Sequence, residues 1–136
     1  MADVYIFIAI DLRKRGLMDV FVGPQEFCQL ETFRSTCLKA ESVAITSAAF
    51  GRMRPGKCIP AKDSLNEDPK FLGCSTDVLP FADVRCSGKK DCEIRIPDSE
   101  LQLLNPCHDY LKAHLEISYT CLLGINCIFS IYVRMI

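Results

Sequence analysis

The clearest pattern in the chain lies near its end. Leu115, Ile117, Tyr119 and Cys121 alternate with Glu116, Ser118 and Thr120. A period of two places these sets on opposite faces of an extended chain, so the pattern predicts a β-strand. A second strand is expected at residues 92–96, with Ile94 and Ile96 on one face and Glu93 and Arg95 on the other; Pro97-Asp98 ends it. A third is expected at residues 42–50, where Val43 and Ile45 alternate with Ala44 and Thr46 before the small side chains Ser47, Ala48 and Ala49. Between the strands, Asp77 is placed to cap a short helix from Val78 to about Cys86. Pro80 falls in its first turn, where a missing N–H costs little, and Ser87-Gly88 closes it. Asp98 is placed to cap a single turn through Ser99-Glu100-Leu101. Arg54-Pro55-Gly56-Lys57 reads as a turn and residues 61–70 as a polar loop. Together these predict an α+β domain: an antiparallel sheet, one or two short helices and long loops.

The cysteines change the picture. Nine are present in 136 residues, and eight fall between Cys28 and Cys121. None forms a C-x-x-C pair, and the spacings Cys28, Cys37, Cys58, Cys74, Cys86, Cys92, Cys107 and Cys121 are too wide and irregular for paired zinc knuckles. The two histidines, His108 and His114, lie six positions apart and match no helical ligand spacing. The cysteines therefore predict a small disulfide-rich domain with no metal or other cofactor, in an oxidising, extracellular or lumenal compartment. Four bridges at ~2–4 kcal/mol each weigh heavily against a total stability of ~5–15 kcal/mol. A formal net charge of −1 argues against nucleic acid, which calls for a basic surplus.

Gly23-Pro24 is expected to separate a leader or extension (residues 1–26) from the body (residues 27–122), with an apolar tail at residues 123–136. The apolar stretch at residues 4–10 is preceded by Asp3 and followed by Asp11 and Arg13-Lys14-Arg15, a poor match to a signal peptide. Neither it nor the tail, which Arg134 interrupts, has the ~20 apolar residues of a membrane span. These ends suggest a fragment or an imperfect gene model of a larger ectodomain protein. Cys127 has no counterpart among the eight.

Three stretches, taken with the order of the eight cysteines, carry a family resemblance. They are Ala49-Phe50-Gly51-Arg52, Asn105-Pro106-Cys107 and Leu115-Glu116-Ile117-Ser118-Tyr119-Thr120-Cys121. The body resembles the rhamnose/galactose-binding lectin domain of the sea-urchin-egg-lectin type, also found in fish-egg lectins, latrophilin-type receptors and polycystin-like ectodomains. The resemblance implies the pairing Cys28–Cys58, Cys37–Cys121, Cys74–Cys107 and Cys86–Cys92. Cysteine counting alone leaves roughly a hundred pairings open.

The resemblance also implies where a sugar would bind. A monosaccharide site combines an acceptor such as a carboxylate, a donor such as lysine, and an apolar or aromatic wall for the C–H face. The corresponding residues are Gln29 with Glu31 after the first cysteine, Phe50, Gly51 and Arg52, Asn105, and the loop His108-Asp109-Tyr110-Leu111-Lys112-Ala113-His114, with Asp109 and Lys112 as its polar contributors. Several differ from the family pattern. Gln29 stands where the family has an acid, Phe50 where it has tyrosine, and Asn105 where it has aspartate. The loop is one residue longer, which puts Ala113 at the position of the family lysine and Lys112 one place before it. Each residue also has an ordinary structural role: Arg52 can fix a loop against a carboxylate or carbonyl, Phe50 and Tyr119 can be core, Asn105 before Pro106 suits a turn, and both histidines read as surface or loop residues.

The expected function is a non-catalytic carbohydrate-binding module of an extracellular or membrane-anchored protein, with galactose- or rhamnose-type glycans as partners and no membrane insertion by the domain itself. The alternative is the same scaffold recognising a cell-surface protein. No nucleophile–base arrangement, Gly-rich phosphate loop or metal set stands in a context that predicts an enzyme.

Overall fold

A computed structural model describes residues 22–123. The apolar stretch at residues 4–10, the basic run Arg13-Lys14-Arg15, Cys127 and most of the tail lie outside these residues.

The domain is α+β and disulfide-rich, as the sequence predicts. Among the described residues are six strands: β1 (Val22–Phe27), β2 (Thr32–Thr36), β3 (Glu41–Arg52), β4 (Cys74–Asp77), β5 (Asp91–Arg95) and β6 (His114–Leu123). Two short helices join them, α1 (Leu79–Cys86) and α2 (Ser99–Leu103), and a 3-10 turn at Ala61–Leu65 lies within the expected polar loop. The larger sheet has the order β1-β6-β3-β4, and β2 and β5 form a separate ribbon. All the pairings are antiparallel.

β3 is longer than the sequence predicts, and its alternation breaks. Val43 and Ile45 are buried at its start, but Ala48 and Phe50 are buried further on, so the inward positions change from odd to even. The register explains this. Ile45 pairs with Tyr119 and Ser47 with Ser118, so Thr46 is an extra residue in β3. Such a bulge moves every later side chain to the other face. It is held by hydroxyls: Thr46 Oγ1 lies 2.7 Å from Ser118 Oγ, and Ser47 Oγ also hydrogen-bonds that oxygen.

β1, β2 and β4 had no period-two signal strong enough to predict them. β1 contains Gly23-Pro24, which was expected to be a boundary. Its register with β6 shifts between Val22 and Gln25, around the proline that cannot donate a ladder hydrogen bond. In β2, Phe33 and Ser35 point inward while Arg34 and Thr36 point out. Only one inward residue is large and apolar, so its alternation is hard to see in the sequence.

Both helices form where expected. At α1, Asp77 Oδ1 accepts the Leu79 N–H at 2.8 Å, although the residue at the geometric N-cap is Val78. Ser87 and Gly88 close the helix. Ser87 N–H donates to Asp83 O, and Gly88, at φ 88°, donates its N–H to Val43 O. At α2, Asp98 Oδ1 accepts from Glu100 and Leu101 N–H, and Leu101 is fully buried.

The core lies between the larger sheet, α1, α2 and the β2–β5 ribbon. It contains Phe33, Ile45, Phe50, Ile94, Ile96, Leu101, Leu115 and Ile117. Phe33 meets Phe27 and Tyr119 edge-to-face at 5.4 and 5.8 Å. Among the described residues, four disulfides tie the domain in the pairing the resemblance implied: Cys28–Cys58, Cys37–Cys121, Cys74–Cys107 and Cys86–Cys92. Their Cα–Cα separations are 5.2–5.7 Å, the ordinary span of a bridge. Cys37–Cys121 joins the end of β2 to β6, and Cys28–Cys58 joins the end of β1 to the loop after β3. Among the described residues, no helix is long and apolar enough to cross a membrane.

Candidate functional site

The Cys28–Cys58 bridge gathers a cleft of about 240 Å³. It is lined by Cys28, Gln29, Lys57, Cys58, Lys112, Ala113 and His114. Three chain segments meet here: the turn after β1, the loop after β3 and the approach to β6. Of the residues expected to bind sugar, Gln29 and Lys112 line the cleft. Gln29 Nε2 donates to Ala113 O at 2.6 Å, which ties the first segment to the third. Lys112 is exposed, and its ammonium has no protein partner among the described residues.

Glu31 is already engaged. One carboxylate oxygen accepts the Cys28 N–H at 2.7 Å and the other meets Lys57 Nζ at 2.9 Å. The backbone hydrogen bond, then Lys57, hold its pKa below the usual glutamate value. Glu31 therefore braces the turn and orients Lys57.

The remaining expected residues are not at the cleft. Phe50 is fully buried in the core, so it offers no ring face to a ligand. Gly51 lies in β3 at φ 147°, and a Cβ there would overlap the Cys74 carbonyl oxygen. The glycine is required by the close approach of β4. Arg52 is 5% exposed and committed to the protein. Its Nε donates to Phe71 O at 2.6 Å, Nη1 to Lys112 O at 2.7 Å and Nη2 to Asp63 Oδ2 at 3.0 Å. Its guanidinium also stacks 5.1 Å from the Phe71 ring centroid. Arg52 thus works from beneath, holding the backbone that presents Lys112. Asn105 is a turn residue, with Oδ1 accepting the Cys107 N–H at 3.0 Å. Asp109 is exposed and does not line the cleft.

The loop before β6 has its own brace. His108 Nε2 lies 2.7 Å from Asp68 Oδ2, and the His108 ring stacks on Tyr110 at 5.2 Å. The hydrogen bond to His108, then the Lys70 N–H, lower the Asp68 pKa.

Two cleft residues were missed in the sequence. Lys57 precedes Cys58, so the implied Cys28–Cys58 bridge was the signal that could have placed it. His114, expected from the sequence at the surface or in a loop, is 1% exposed at the start of β6. No family model matches the chain, and no curated protein matches it in sequence.

Proposed function

We propose that this chain is a non-catalytic carbohydrate-binding module of the rhamnose/galactose lectin type, acting in a secreted protein or a receptor ectodomain. The observation that carries this reading is the meeting of Gln29 and Lys112 in one cleft beside the Cys28–Cys58 bridge. These come from two of the segments in which the family resemblance expects sugar contacts. They supply what a hydroxyl-rich ligand needs: an amide oxygen to accept and an ammonium group to donate. Four disulfides suit a small domain working in an oxidising compartment.

A second reading is favoured by one specific observation. Phe50, Arg52 and Asn105 are taken up by the core, the loop brace and the turn, which leaves the cleft without an aromatic wall or a free carboxylate. That set of donors suits recognition of a protein surface on the same scaffold. Glycan-array binding of the disulfide-intact chain separates the two. Signal abolished by free rhamnose or galactose at millimolar concentration supports the lectin reading; signal absent or insensitive to both sugars rejects it.

A further inference from the structure

We propose that Glu26, His114 and Glu116 form a binding site for a divalent transition-metal ion of the zinc class. The site stands independently of the carbohydrate reading. Its parts come together through strand pairing. Glu26 of β1 lies directly opposite Glu116 of β6, and His114 is two residues before Glu116, on the same face of β6. One ligand atom from each of the three lies within 4.8 Å of the others.

The unpaired atoms point to a ligand. His114 is almost completely buried, yet neither ring nitrogen has a hydrogen-bond partner among the described residues. Glu26 Oε1 is also buried without one. A buried polar atom left unsatisfied is costly, and two such atoms, Glu26 Oε1 and His114 Nε2, face each other here. Glu26 Oε1 and His114 Nε2 are 3.4 Å apart. Two ligands each about 2.1 Å from a tetrahedral ion are separated by about that distance. Two carboxylates facing each other across a ladder also repel, and a cation between them removes the repulsion.

The donor set selects the ion. Calcium takes six to eight oxygens, whereas one imidazole with two carboxylates suits zinc and its neighbours. The other Glu26 oxygen accepts the Lys57 N–H at 3.1 Å, which orients the carboxylate. Arg54 is the competitor: its Nη2 reaches both Glu116 oxygens at 2.7 Å from an exposed position. A metal would share Glu116 with Arg54 or displace it. The other acidic and cysteine cluster, Cys28, Glu31 and Cys58, is no rival, because its two sulfurs are bonded to each other.

The test is calorimetric titration of the tag-free, disulfide-intact chain with Zn²⁺, repeated with Co²⁺ to follow its d–d absorption. One equivalent should bind, and the melting temperature should rise with it. Glu26→Gln should weaken binding at least about 10-fold and His114→Phe at least about 100-fold, since even outer-shell changes cost ~10–100-fold. Arg54→Gln should bind as tightly or several-fold more tightly. Absence of saturable binding to the folded chain overturns the proposal, and so does an unchanged affinity in Glu26→Gln. The latter variant carries the test if His114→Phe does not fold.

Discussion

Arg52 Nη2 donates to Asp63 Oδ2 at 3.0 Å, and the two side chains are 6% and 18% exposed. The pair fixes the backbone that presents Lys112 to the cleft, because the same guanidinium also holds the Phe71 and Lys112 carbonyls. Removing one partner of a buried pair leaves the other uncompensated, at a cost of ~3–5 kcal/mol. Arg52→Ala should therefore lose stability of that order in urea unfolding. Arg52→Lys should recover only part of it, because an ammonium cannot reproduce the planar fork.

Gly51 is adjacent in β3 and sets the distance to β4. Gly51→Ala should destabilise by more than about 1 kcal/mol, since the positive φ strains any side chain and the new Cβ meets the Cys74 carbonyl and Ser75 Cα. An unchanged denaturation midpoint would contradict the close approach.

Asp98 links α2 to α1. Burial pushes its carboxyl up, but hydrogen bonds from Arg85 and from the Leu101 and Glu100 N–H groups outweigh that and hold its pKa below the usual aspartate value. A depressed folded pKa contributes stability that is fully present above about pH 4 and lost as pH falls through the folded value. Asp98→Asn should be less stable than wild type at pH 7. The gap should narrow below pH ~4, as measured by thermal unfolding over a pH series.

Lys112 offers the cleanest test of the cleft, because it is exposed and its ammonium has no protein partner among the described residues. A hydrogen bond to a charged group is worth ~1.5–3 kcal/mol. Lys112→Ala should weaken glycan binding about tenfold or more while leaving the melting temperature unchanged. Equal binding by both proteins would remove Lys112 from the site.

The bridges can be tested singly. Non-reducing peptide mapping of the folded chain should recover Cys86 linked to Cys92. Replacing both Cys37 and Cys121 by serine should cost ~2–4 kcal/mol, because that bridge closes the longest loop of the four.

How far the chain could be read depends on the range of each interaction. β5, the core alternation of β6, the Asp98 cap and the closing Ser87-Gly88 are visible because a strand period and a cap involve residues a few positions apart. The bulge at Thr46 hid the end of β3 by switching its buried positions from odd to even. Of the cleft, Gln29 and Lys112 were anticipated through the resemblance, while Phe50 and Arg52 went to the interior.

The chain alone determined the α+β class, the short capped helices, the best-patterned strands and the disulfide-rich character of the domain. These follow from local periodicity and from cysteine content. Tertiary structure alone decided that Arg52 braces rather than binds, that Lys57 stands beside Gln29, and that Glu26 meets His114 and Glu116 across the sheet. Those outcomes depend on strand register and disulfide closure between distant segments. Such long-range pairing leaves no periodic trace in the sequence of either segment.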